Sequence, residues 1–92
     1  MEKVRAHIIV SGIVQMVGFR YYTCSQASRL NINGWVKNKA DGSVEIMAEG
    51  GKEDVEALIQ WCHKGPSSAV VKKVDCKWLD YKGDLRDFSI SV

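Results

Sequence analysis

The sequence predicts an α/β fold in the order strand, helix, strand, strand, helix, strand, with a short further strand, and three observations carry that prediction. Short β-branched or alternating runs recur along the chain, the period-two mark of strands. Two segments between them instead space their apolar residues by three and four, as amphipathic helices do. Between the second and third strand lies Asp41-Gly42, a strong hairpin signal.

Residues 6 to 13 carry Ile8, Ile9 and Val10 and stop at Ser11-Gly12, which reads as the first strand. A loop, Val14 to Phe19, leads to a helix from Arg20 on which Cys24, Ala27 and Leu30 form one face, ending near Asn31 to Gly34. Trp35 to Asn38 reads as the second strand and Ser43 to Glu49 as the third, with Val44, Ile46 and Ala48 on one side. The second helix is the most regular. Val55, Leu58, Ile59 and Cys62 follow the i, i+3, i+4, i+7 template, Glu53 and Asp54 sit in the first turn where the helix dipole favours them, and Gly65-Pro66 closes it. A fourth strand covers residues 69 to 78 with Val70, Val74, Cys76 and Trp78 on one face, although Lys72 interrupts it; Phe88, Ile90 and Val92 alternate in a last short strand. Right-handed crossovers then place both helices on one face of the sheet. The expected architecture is a ferredoxin-like βαββαβ sandwich of the α+β kind, with an antiparallel sheet of four to five strands.

A chain of 92 residues, 46% hydrophobic and 26% charged, fits one domain over residues 1–92, without repeats, linkers or low-complexity stretches. Such a domain buries only roughly 60 to 65% of its unfolded surface, so its site is expected to come from loops and strand ends. Thirteen basic residues are scattered among eleven acidic ones for a net charge of +2, which suits a small anion and falls short of a nucleic-acid footprint. The N-terminus runs into a short apolar stretch broken by Ser11 and Gly12, with no signal-peptide core or membrane span, so a cytoplasmic protein is expected. Cys24, Cys62 and Cys76 lack metal-ligand spacing and read as reduced, mostly buried thiols.

The chemically informative segment is Gly12-Ile13-Val14-Gln15-Met16-Val17-Gly18-Phe19-Arg20, joining a strand end to a helix start. Loop amides and the first free N–H groups of a helix converge there, and the helix dipole favours negative charge. Arg20 adds a planar fork matched to phosphate or carboxylate oxygens. Taken alone, the segment is equally compatible with an ordinary turn and an exposed arginine.

The combination with Gly34-Trp35-Val36-Lys37-Asn38-Lys39-Ala40-Asp41-Gly42-Ser43-Val44-Glu45 is far more specific, and together these segments resemble the two motifs of the acylphosphatase family. Glu49-Gly50, and Trp61 through Gly65-Pro66 with Ala69 and Val70, extend the resemblance to about residues 7 to 90. It implies a metal- and cofactor-independent hydrolase of small acyl phosphates. Arg20 would then bind the phosphate, Asn38 would orient the attacking water, and Gln15, Met16, Val17, Gly18 and Phe19 would supply loop amides. Asn38 shares a strand face with Val36, which places it where a packed face meets the strand end. In one respect the chain departs from the family pattern: Met16 stands where the loop usually has glycine. Met16 is expected to point to solvent from an ordinary backbone conformation, with Gly18 supplying flexibility; at positive φ a side chain there would instead carry about 1 to 2 kcal/mol of strain.

Other chemistries lack their residues. Only four residues separate Cys24 from Arg29, inside a helix, where a cysteine-phosphatase loop needs five, and Gly18 is followed by Phe19-Arg20-Tyr21, not by the lysine of a nucleotide-binding P-loop. No RNP1-like aromatic array and no Cys-x-x-Cys occurs, and His7 and His63 have no partner at ligand spacing. Tyr21, Tyr22, Trp35 and Trp61 read as core and rim. The remaining alternative is a non-catalytic acylphosphatase-like module that binds an anion or a partner; Arg20 and Asn38 together argue against it. The expected enzyme is a monomer without nucleic-acid or membrane partners.

Overall fold

The structure, a computed structural model, describes residues 2–92 as β1 (Lys3–Ile13), α1 (Phe19–Arg29), β2 (Asn33–Asn38), β3 (Val44–Gly51), α2 (Lys52–Cys62), β4 (Val70–Leu79) and β5 (Phe88–Ile90). The strands form one sheet in the order β4-β1-β3-β2-β5. Ala6, Ile8 and Val10 of β1, Val36 of β2, and Val44, Ile46 and Ala48 of β3 are all buried, because the pleat turns alternate residues to one face. Against that face pack Phe19 and Ala27 of α1 and Val55, Leu58 and Cys62 of α2. The two helices divide the sheet between them: α1 lies over β2 and β5, α2 over β1 and β3. No helix among the described residues is long and apolar enough to cross a membrane.

The β1–β3, β1–β4 and β2–β3 pairs are antiparallel as expected, whereas β5 runs parallel to β2. The connection from β4 explains the difference. Residues 80–87 cross one end of the sheet, past the start of β1, the end of β3 and the start of β2. A strand launched from that end beside β2 must run with it. The crossing is pinned by Arg5 to Asp84 (3.0 Å), by the Lys82 amide to Glu49 (2.8 Å), by Asn33 to the Leu85 carbonyl (3.2 Å) and by the Gly34 amide to the Asp87 carbonyl (2.8 Å).

Three expectations need correction. The buried stripe of α1 is Phe19, Thr23 and Ala27, while Cys24 and Leu30 are half-buried at its margin. Thr23 is tolerated inside because its hydroxyl donates to the Phe19 carbonyl at 2.7 Å. In β4 the pairing slips between Ser11↔Lys73 and Gly12↔Val71, leaving Lys72 as the extra residue of a β-bulge. The bulge turns Val71, and not Val70, toward the core, so Val70 does not share a face with Val74. Of the cysteines only Cys62 is buried; Cys24 is half-buried and Cys76 exposed, because the outer half of edge strand β4 has little packed over it.

Candidate active site

Residues 14–18 bridge β1 and α1 in irregular conformation, and apolar side chains fix both flanks. Val14 is buried, Val17 packs on the core margin, and Phe19 is buried against Trp61 with ring centroids 5.3 Å apart. The bulge at the end of β1 needs Gly12, since a Cβ there would lie 2.2 Å from the Val70 carbonyl oxygen. At the entrance to α1, Gly18 occupies the left-handed region at φ 82° and offers no side-chain cap to the helix. The first amides of α1 therefore face outward with the positive end of the helix dipole behind them, and no acidic residue occupies the first turn. Among the described residues, the amides of residues 15–18 likewise have no acceptor in the protein.

Met16 sits at φ 65° with its side chain fully exposed. It does point to solvent, as expected, but from a left-handed backbone and not an ordinary one. Non-glycine residues pay about 1 to 2 kcal/mol there, so this position keeps the backbone shape that glycine adopts readily.

Val14, Met16, Gly18, Phe19, Arg20, Tyr21, Asn38 and Ile90 line a cavity of about 200 Å³. Arg20 and Asn38 thus come together from α1 and β2, far apart in sequence. Arg20 is half-buried and makes no ion pair among the described residues. Asn38 ends β2, one alternation beyond buried Val36, and its amide oxygen Oδ1 is buried without a hydrogen-bond partner. An unpaired buried acceptor costs about 1 to 3 kcal/mol, so a polar group held there by the protein's ligand would relieve a standing penalty. Arg20, a cation without a counter-ion, and Asn38, whose buried Oδ1 lacks a donor, line one small cavity: the arrangement can hold a tetrahedral anion beside a hydrogen-bonded water.

Gln15 and Val17 do not line the cavity. Gln15 instead turns its side chain to the β2–β3 hairpin, where Nε2 donates to the Lys39 carbonyl at 2.7 Å and the Ser43 carbonyl at 2.9 Å. That hairpin is braced by Asp41, whose Oδ1 accepts from the Ser43 amide (3.0 Å) and hydroxyl (2.6 Å); these bonds hold its carboxyl below the usual carboxylate range. Sequence reasoning also missed Ile90 as a wall of the cavity. Its alternation with Phe88 marks a strand, but only the pairing of β5 beside β2 brings Ile90 opposite Val36 and next to Asn38. Away from the site, His7 Nε2 meets Glu45 Oε2 at 2.6 Å on the sheet face opposite the helices.

A profile of the acylphosphatase family matches residues 6–90. The chain is 52% identical over 89 residues to the acylphosphatase of Anaeromyxobacter sp. (strain Fw109-5), covering 97% of this chain and 96% of the relative. It is 48% identical over 90 residues to that of Thermococcus kodakarensis, covering 98% of each. The crystal structure of acylphosphatase from Bacillus subtilis superposes with a TM-score of 0.93 at 34% identity, over 97% of this chain and 99% of that one.

Proposed function

The chain belongs to the acylphosphatase family, and from that premise we propose how its cavity divides the work of hydrolysing an acyl phosphate. The family activity is cleavage of a carboxyl–phosphate bond to a carboxylate and inorganic phosphate. The observation that supports the residue assignment is the meeting in one cavity of Arg20, without a counter-ion, and Asn38, whose buried Oδ1 is unpaired.

The leaving group is a carboxylate with a pKa of about 4, so no general acid is needed to expel it. What remains is neutralising charge on the phosphoryl oxygens and aligning a water in line with the breaking bond. Arg20 does the first through its guanidinium fork, helped by the amides of the cavity-lining loop residues Met16 and Gly18 and of Phe19 at the start of α1. Asn38 does the second. A water hydrogen-bonded to the Asn38 side-chain amide is held with a lone pair toward phosphorus. The amide cannot take a proton near neutral pH, so the proton of the attacking water passes to a phosphoryl oxygen. The new P–O bond forms as the bond to the acyl oxygen breaks, and the carboxylate leaves with the electron pair.

In this reading residues 1–92 act as one domain, a cytoplasmic monomer working on small dissolved acyl phosphates without metal, cofactor, nucleic acid or membrane. The test is competitive inhibition by inorganic phosphate in Arg20→Ala and Asn38→Ala, each checked for folding by circular dichroism. Arg20→Ala is expected to raise the phosphate inhibition constant at least tenfold, whereas Asn38→Ala lowers kcat and leaves that constant within about twofold. Equal loss of phosphate affinity in both variants would overturn the division.

A further inference from the structure

The two halves of the cavity sit on elements that share no direct bond: Arg20 and the loop amides belong to the β1–α1 junction, Asn38 to the end of β2. An in-line displacement requires phosphorus and water to be set relative to each other, and a misplacement of about 1 Å costs on the order of a hundredfold in rate. Apolar packing of Val14, Val17 and Phe19 holds the loop's flanks but gives it no polar tie to β2. Its amides have no acceptor in the protein among the described residues, Met16 contributes no packing, and Gly18 adds conformational freedom.

One side chain bridges the gap. Gln15 Nε2 donates to the Lys39 and Ser43 carbonyls at 2.7 and 2.9 Å, spending both hydrogens of its amide on two acceptors at the mouth of the β2–β3 hairpin. That mouth is rigid in its own right. The Lys39 amide donates to the Ser43 carbonyl at 2.8 Å, and the Gly42 amide to the Lys39 carbonyl at 3.2 Å. Lys39 follows Asn38 directly, so Gln15 is anchored one residue from the side chain that faces the cavity. We propose that the Gln15 side chain is a positioning residue, a strut that fixes the phosphate cradle at the distance from Asn38 that in-line attack requires. The proposal rests on the reading of Asn38 as the water-orienting residue. The Gln15 side chain acts through Asn38 and, with both amide hydrogens spent on the hairpin carbonyls, touches neither substrate nor water.

The decisive experiment is a double-mutant cycle on kcat for benzoyl phosphate, using Gln15→Met, which keeps length and lacks the donors, in the parent and in Asn38→Ala. Gln15→Met is expected to lower kcat about ten- to a hundredfold in the parent, with the phosphate inhibition constant within about twofold because the cradle itself is intact. In the Asn38→Ala background it should change kcat less than twofold, since there is no longer an aligned water to misplace. Equal losses in the two backgrounds, or a raised phosphate inhibition constant with kcat unchanged, would overturn the strut. Should Gln15→Met fail to fold, Gln15→Asn, one methylene too short to reach both carbonyls, runs the same cycle. If Asn38→Ala alone leaves kcat intact, the role of Asn38 itself fails and the strut with it, and that single variant reports the failure separately.

Discussion

Replacing Glu49 with alanine removes the anchor of the crossing between β4 and β5. Glu49 is 2% exposed, and its Oε2 accepts from Arg5 at 2.8 Å, from the Lys82 amide at 2.8 Å and, weakly, from the Gly83 amide at 3.4 Å. Breaking a buried ion pair by deleting one partner costs about 3 to 5 kcal/mol. Here Arg5, itself 9% exposed, keeps Asp84 at 3.0 Å, and the freed amides lie in a surface segment where water reaches them, which places the loss near the low end, about 3 kcal/mol. For a domain of this size each kcal/mol moves Tm by about 4 to 8 °C, so a drop on the order of 12 to 24 °C is expected. Urea unfolding and thermal melts followed by circular dichroism at pH 7 read it directly. Replacing the whole pair, Arg5→Met with Glu49→Leu, should be much milder than Glu49→Ala, because no uncompensated charge stays buried. A loss below about 1 kcal/mol for Glu49→Ala, or a double variant as damaged as the single one, would refute the claim that this pair holds the crossing in place.

Three further outcomes follow from the same structure. Asp84, Glu45 and Asp41 are held below the usual carboxylate range by hydrogen bonds from Arg5, His7 and Ser43 respectively. Their contribution to stability is fully present above the unfolded value of about 4 and is lost as pH falls through their folded values, so urea midpoints should be flat near neutrality, fall below about pH 4, and fall less steeply in Asp84→Asn. At position 16, where φ is 65° and the side chain is fully exposed, Met16→Gly should be more stable than Met16→Ala by about 1 kcal/mol; alanine equal to or better than glycine would show that the left-handed conformation is not held. Burial pushes the Cys62 thiol up to about 12, so iodoacetamide at pH 8 should label exposed Cys76 well before Cys62 in the folded protein, as peptide mass spectrometry would report.

The parts of the fold governed by local periodicity were legible in the sequence. Val44, Ile46 and Ala48 announce β3, and Val55, Leu58 and Cys62 announce α2, because burial on one face imposes spacing that survives without knowledge of the partner. Features set by pairing were not. Lys72 shows in the sequence only as an interruption; that it is a bulge, with Val71 turned inward and Val70 out, depends on the register with β1. The parallel course of β5, and with it the place of Ile90, depends on where residues 80–87 cross. Thr23 reads as polar yet lies in the core because its hydroxyl bonds within its own helix. The resemblance named Arg20 and Asn38, and the fold brings them to one cavity. The bond from Gln15 to the hairpin joins residues 24 and 28 positions apart, and no local pattern announces it.

In the proposed reaction a water aligned in the cavity of Arg20 and Asn38 attacks phosphorus without help from a metal. Turnover of benzoyl phosphate in ¹⁸O-enriched water with excess EDTA, by the parent and by folded Arg20→Ala and Asn38→Ala, decides whether it does. The expected result is undiminished turnover of the parent in EDTA, label in inorganic phosphate and none in benzoate, and a rate lost in both variants. Label in benzoate, a parent silenced by EDTA, or variants as active as the parent would contradict it.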